Sequence, residues 1–248
     1  MTQLIVNTSQ MTCPDNRYNI GKNHHTTPLG GRDLAQQGIR TTIVIVRHGE
    51  CAGNREGLFR GRCDFPLNEN GRRQAEALAN ELKGMGLSRI FSSPLSRATE
   101  TAAIISQASG ALWEPRAGFN NIALGKWEGR PKKEVEEEYP EEWRLWIEHP
   151  DRLHVPGGES LADVQGRAFS NLEHLVRTYR GETFAVVSHR AVIKPLLAAC
   201  LGLSEPSFWK LHVDTASYSI LVHEEKRGYC LTLLNQNKHL SEMIQEWV

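Results

Sequence analysis

Apolar residues follow two distinct periods along the chain. Ile43 to Val46 form an uninterrupted β-branched run, the pattern of a strand buried on both faces of a sheet. Arg89 to Phe91 and Phe184 to Val187 read as two more short buried strands. Between them the period becomes helical. After Asn68, the residues Ala75, Leu78, Ala79 and Leu82 share one face while Arg72, Arg73, Glu76 and Glu81 share the other. That predicts an amphipathic helix capped by Asn68 and stopped at Gly84 and Gly86. Ser93 as N-cap and Pro94 in the first helical position predict a second helix. Gly157-Gly158-Glu159-Ser160 marks a turn that caps a long sheet-covering helix bearing Leu161, Val164, Ala168, Leu172 and Leu175, and Val192 to Leu201 forms another. Glu134 to His149 reads as one amphipathic stretch whose Tyr139, Trp143, Trp146 and Ile147 pack a lid onto the sheet, with Glu136 to Glu138 as a solvated face. Ser217 to Val222 and Tyr229 to Leu234 flank Lys226-Arg227-Gly228 and predict a hairpin that adds antiparallel edge strands.

Strands alternating with helices place the chain in the α/β class. Residues 1 to about 40 keep no period, which predicts an extended or partly disordered amino-terminal arm ahead of a domain over residues 41–248. Composition narrows the function. At 248 residues, a 40% hydrophobic chain can build a real core. Lys+Arg and Asp+Glu are equal at 29 each, so no global field favours nucleic acid or an anionic membrane. Any anion recognition must therefore be local. No stretch reaches bilayer-spanning length, and the start of the chain lacks a basic-then-apolar leader, so a cytoplasmic location is expected. The five cysteines, Cys13, Cys51, Cys63, Cys200 and Cys230, are scattered without the spacing of a zinc site or a disulfide framework. They are read as reduced bystanders, and His24 and His25 as solvated. No metal or cofactor is expected.

The chemistry gathers where apolar runs stop. Ile43 to Val46 ends at Arg47-His48-Gly49, and Phe184 to Val187 ends at Ser188-His189. Ligands of open α/β sheets bind beyond the carboxyl ends of the strands. Gly49 lets the backbone approach a ligand closely or take positive φ. His189 precedes a helix whose amino terminus favours an anion. Arg97 falls in the first turn of its helix, pointing back over the site, although alone it would suit a surface pair with Glu100 or Glu114. Two strands ending in histidine and a helix opening with arginine converge only on an anionic ligand.

With these pieces in place the chain resembles the histidine phosphatase superfamily, the phosphoglycerate-mutase-like fold. The matching segments are R-H-G-E at Arg47 to Glu50 with Asn54 following, P-L-N-E-N-G at Pro66 to Gly71, and S-S-P-L-S-R-A-x-x-T from Ser92 to Thr101. G-x-W-E-G at Gly125 to Gly129, G-G-E-S at Gly157 to Ser160, V-S-H at Val187 to His189 and L-N-x-x-x-H-L at Leu234 to Leu240 complete the set. They run in the family's order across roughly residues 43 to 240. The resemblance implies a three-layer α/β/α sandwich with a mostly parallel central sheet and an antiparallel edge. It implies a nucleophile at His48, a phosphate clamp of Arg47, Asn54, Arg97 and His189, and a contribution from Arg60 at the pocket entrance. Neutral His48 would attack phosphorus and become a phosphohistidine that water hydrolyses, with its other ring nitrogen donating to a backbone carbonyl, while His189 would be useful protonated.

One position departs from the family. The carboxylate that normally protonates the leaving oxygen lies four residues before the first Gly of G-x-W-E-G, and here that residue is Asn121. An amide is neither a general acid nor a base, which leaves Glu128 or Asp64 as a substitute, or else a slow or inactivated form, natural or engineered. The short G-x-W-E-G and G-G-E-S arrangement resembles the phosphatase branch, including α-ribazole, broad-specificity and metal-independent phosphoserine phosphatases. The expected function is a metal-independent phosphomonoesterase acting on a small phosphorylated metabolite, with room for a homodimer. A phosphoglycerate mutase and a non-catalytic phospholigand-binding module are the alternatives.

Overall fold

The structure is a computed structural model that describes residues 38–244. The amino-terminal arm expected over residues 1–40, with Cys13, His24 and His25, lies outside the described residues except at its very end. There β1 (Arg40–Arg47) already begins.

In chain order, β1 is followed by α1 (Glu69–Leu82), β2 (Arg89–Ser92), α2 (Ser96–Ser109), β3 (Leu112–Pro115), α3 (Lys132–Glu138) and α4 (Pro140–Glu148). Then come α5 (Leu161–Thr178), β4 (Thr183–Ser188), α6 (Arg190–Leu201), β5 (Tyr218–Glu224) and β6 (Gly228–Gln236). The six strands form one sheet in the order β3-β2-β4-β1-β5-β6. The first four run parallel, and β5 and β6 close one edge as the antiparallel hairpin expected from Lys226-Arg227-Gly228. The sheet is mostly parallel with an antiparallel edge, as the resemblance implied.

The alternation within β1 makes the layers. Val44 and Val46 face one side, where they pack with Leu78 and Leu82 of α1 and Ala98, Ala102 and Ile105 of α2. Ile43 and Ile45 face the other, against Val164 and Leu172 of α5 and Val192 and Leu196 of α6. All four β1 side chains are buried, which is why the run carries no polar residue. Strand β3 gave no sequence signal. Its four residues are exposed on the sheet edge, so burial never imposed an apolar pattern on them.

Local chemistry adjusts two of the expected elements. α2 starts at Ser96 rather than Pro94, and its N-cap position, Leu95, offers no capping side chain. Asp64 caps the helix from a distant loop, accepting from Ser96 N at 2.8 Å and Ser96 Oγ at 2.7 Å. Ser93 is thereby released for another task. The stretch from Glu134 to His149 breaks into α3 and α4 at Tyr139-Pro140, because proline cannot continue the first helix but suits the first turn of the second. Trp146 is buried within it, whereas Ile147 is exposed and packs nothing onto the sheet. Glu136 to Glu138 are exposed, as read, and Glu138 is also hydrogen-bonded by Arg130 and by Tyr139 Oη. α5 keeps the predicted cap as a reciprocal pair between Ser160 and Asp163.

Two glycines set how closely the loop after β1 can approach α1. A Cβ on Gly71 would stand 1.8 Å from Glu50 O, and one on Gly49 would stand 2.4 Å from Gly71 O. Gly49 does not take positive φ; what it provides is close backbone contact. A Cβ on Gly84 would meet nothing within 4 Å. Gly71→Ala should therefore cost about 3 kcal/mol and lower Tm by roughly 6–12 °C, while Gly84→Ala leaves Tm within about 2 °C. Equal Tm values for the two variants in a thermal denaturation series would contradict this packing.

Candidate active site

Neighbouring parallel strands β1 and β4 end level, with Arg47 paired in register to Ser188. The next residue of each chain, His48 and His189, therefore emerges at the same edge of the sheet. Their ring centroids are 5.0 Å apart with planes tilted by 60°, and each is only 2% exposed. His48 N donates to Ser188 O at 3.1 Å, which locks the two strand ends together. A carbonyl can only accept, so the 2.6 Å contact between His48 Nδ1 and Gly49 O fixes the proton on Nδ1. Nε2 then carries the lone pair, as expected for a nucleophile.

The segment from Val213 to Ser217 backs this strand end. Arg47 Nη1 donates to Val213 O at 2.9 Å, Arg47 N donates to Ser217 O at 3.0 Å, and Ala216 N donates to His48 O at 3.1 Å. Asp214 holds the segment by accepting from Asn235 Nδ2 and Asn237 Nδ2, both at 2.9 Å, with His212 Nε2 at 2.8 Å. No sequence period marks these residues, because they act as a brace rather than a face.

Arg97 is fully buried. Its Nη1 donates to Cys63 O and its Nη2 to Gly61 O, each at 2.9 Å, and its Nε donates to His189 Nδ1 at 3.3 Å. A surface pairing is ruled out: Glu100 is bonded by Arg72 and Glu114 by Arg116. Since His189 Nδ1 accepts, its Nε2 carries the proton and donates to Ser93 Oγ at 2.7 Å. Ser93 orients this imidazole; the sequence had suggested it as a helix cap.

A cavity opens in front of these groups. Arg47, His48, His189, Arg60 and Asn121 line it, and Phe59, Trp146 and Phe208 form an aromatic wall. Lys132 and Arg190 also line it; sequence reasoning missed both, although Arg190 directly follows His189 and Lys132 opens α3. No Asp or Glu is among the described residues that line the cavity. Arg97 and Asn54 stand behind the lining. Asn54 Oδ1 accepts from Cys51 N at 2.9 Å and from Cys51 Sγ at 3.1 Å, which closes the loop after His48. Glu50 anchors the same loop to the start of α1: its buried carboxylate accepts from Asn68 Nδ2, Asn70 Nδ2 and Arg55 Nε. Among the described residues no group of three or more His, Cys, Asp or Glu side chains is arranged to hold a metal, and no helix is long and apolar enough to cross a membrane.

Asn121 is buried, and its Nδ2 donates to Gly61 O at 2.8 Å while Oδ1 has no hydrogen-bond partner. The two carboxylates named as substitutes for it are committed elsewhere. Glu128 Oε1 accepts from Leu124 N at 3.0 Å and from Arg62 N at 3.1 Å, and Asp64 caps α2. Neither lines the cavity.

Burial pushes His48 well below the usual histidine range, and the positive charges of Arg97, Arg47 and Arg60 add to the effect. His189 is lowered in the same way, by burial first and then by Arg97, His48, Arg60 and Arg47. Both imidazoles are therefore neutral in this arrangement. Burial, assisted by Arg60, also brings the Arg97 guanidinium down to about 10, which leaves it charged at neutral pH.

The family model described as the histidine phosphatase superfamily (branch 1) matches residues 43–236. Phosphoserine phosphatase 1 of Hydrogenobacter thermophilus is 38% identical over 204 residues, covering 82% of this chain and 96% of that protein. Among solved structures, YhfR of Bacillus stearothermophilus matches with a TM-score of 0.76 at 30% identity, covering 81% of this chain and 100% of that one. A mycobacterial glucosyl-3-phosphoglycerate phosphatase complexed with VO3 matches with a TM-score of 0.73 at 27% identity, over 78% of this chain and 98% of that one.

Two buried neutral histidines make stability depend on pH with a definite sign. A histidine lowered in the folded state binds its proton more tightly when unfolded, so stability is full above the unfolded value near 6.5 and is lost as pH falls below it. Each contributes a slope of up to about 1.4 kcal/mol per pH unit in that range. Denaturant titrations between pH 8 and 5 should show this decline, and His48→Gln and His189→Gln should each flatten it. An unchanged slope in both variants would contradict the assignment.

Proposed function

Because the chain belongs to the histidine phosphatase superfamily (branch 1), a family of phosphatases, we propose that it is a metal-independent phosphomonoesterase. It acts through a phosphohistidine at His48 on a small phosphorylated metabolite in the cytoplasm. The observation that carries this reading is the His48 ring itself. Nδ1 is tied to Gly49 O, so Nε2 presents a lone pair beside Arg47, Arg97 and His189.

Phosphoryl transfer requires chiefly that a dianion be positioned and its charge stabilised. Arg47 and Arg97 supply fixed charge, and attraction between opposite charges at contact distance is about 4 kcal/mol per pair at a surface-like dielectric. Arg97 uses one hydrogen of each terminal nitrogen on a carbonyl, and a guanidinium has five donors in all, so donors remain for a phosphoryl oxygen. A dianion between the rings would raise His189 towards protonation and let it share a proton with the phosphoryl group. Asn54 serves through the loop it closes, and Arg60 contributes charge at the entrance. Nucleophilic attack by Nε2 splits the hydrolysis into two displacements, with water completing the second.

The test is to trap the intermediate. Mixed with a phosphate monoester and quenched in alkali, the chain should yield an acid-labile phosphoenzyme, and its activity should be undiminished in EDTA. His48→Ala should abolish both phosphoenzyme and turnover. Interconversion of phosphoglycerates without release of phosphate would instead identify a mutase, and phosphate binding without any turnover would identify a phospholigand-binding module.

A further inference from the structure

The reaction needs a proton for its leaving oxygen whenever that oxygen would depart as an alkoxide. The cavity is poor in donors suited to that task. No carboxyl group is among the described residues that line it. On the surrounding loops, Asp64 caps α2, Glu128 caps Leu124 and Arg62, and Glu159 is bonded by Arg167 and by Ala123 N. His48 is the attacking base, and the Nε2 proton of His189 is held by Ser93 Oγ; any proton that the bound dianion draws onto His189 is shared with the phosphoryl oxygens rather than the leaving oxygen. Guanidiniums do not give up protons at neutral pH.

Asn121 points the same way. Its amide is locked by the bond from Nδ2 to Gly61 O, and Oδ1 is left as a buried acceptor without a donor. An acceptor can orient a water molecule, as a glutamine does in some nucleotide hydrolases, but it cannot protonate a leaving group.

On the phosphatase reading above, we propose that the physiological substrate carries its phosphoryl group on an oxygen that departs as a stable anion. The class comprises enol phosphates, which are monoesters, together with acyl phosphates and phosphoanhydrides, which widens the monoesterase reading to phosphoryl hydrolysis in general; phosphate esters of simple alcohols fall outside it.

The steps balance without an acid. His48 Nε2 forms the bond to phosphorus, the bond from phosphorus to the leaving oxygen breaks, and its electron pair stays on a carboxylate, enolate or phosphate. Arg60, Lys132 and Arg190 line the cavity through which that anion departs. Water then attacks phosphorus, the bond to Nε2 breaks and its pair returns to the imidazole. Both water protons leave on dihydrogen phosphate.

The experiment measures single-turnover phosphorylation of His48 by acetyl phosphate, a series of aryl phosphates and phosphoserine, in the natural chain and in Asn121→Glu. The natural chain should show a steep fall in rate as the leaving group becomes more basic, with acetyl phosphate fastest and phosphoserine at least about 10²-fold slower. Asn121→Glu should raise the phosphoserine rate by about 10²–10⁴-fold and the acetyl phosphate rate by less than about threefold. If phosphoserine reacts as fast as acetyl phosphate in the natural chain, a proton donor such as Lys132 is at work and the leaving-group proposal fails while the phosphatase reading stands. If none of the compounds phosphorylates His48, the phosphatase reading fails with it. The natural chain alone decides the question should Asn121→Glu not fold.

Discussion

The structure depends on holding several like charges in one buried place without cancelling them. Desolvation and mutual repulsion both oppose the arrangement, and the lowered pKa values of His48, His189 and Arg97 register that opposition. Neutral dipoles hold the groups in place. Carbonyls of Gly61 and Cys63 take hydrogen bonds from Arg97, that of Val213 takes one from Arg47, and that of Gly49 takes one from His48. A carboxylate in any of these roles would have neutralised the field that an incoming phosphoryl group meets.

Those carbonyls must themselves be fixed, and much of the remaining architecture does so. The level ends of β1 and β4 bring the imidazoles together, and the bond from His48 N to Ser188 O keeps them level. Gly49 and Gly71 let the loop after β1 lie directly on the start of α1, where Glu50 is bonded by Asn68 and Asn70. The Asp214 brace stands behind Val213. The carboxylates of this region serve structure and are withheld from the cavity, which is the same division of labour that leaves Asn121 without a nearby acid.

Legibility in the sequence followed burial. The strands β1 and β4 and the helix α5 announced themselves because both faces of the strands, and one full face of the helix, exclude water. His48 and His189 were placed at the sheet edge by the abrupt stop of an apolar strand, whereas Arg97 alone suited a surface pair and entered through the family resemblance. Strand β3 was silent because it is exposed, and Ser93 was read as a cap because its hydroxyl suits either role until Asp64, distant along the chain, is seen to take the cap. The state of His189 was not legible for a related reason: proximity to an anion site suggests charge, while burial beside Arg97 opposes it. Lys132 and Arg190 could not be distinguished from surface cations by any local pattern.

The central claim is that Arg47, His48, Arg97 and His189 grip one tetrahedral anion, with His48 Nε2 in line to attack it. A crystal structure with orthovanadate tests it most directly. The account predicts vanadium bonded to Nε2 of His48, with its equatorial oxygens hydrogen-bonded by Arg47, Arg97 and His189. Vanadate bound through His48 Nδ1, or elsewhere in the cavity with His48 turned away from it, would contradict the claim.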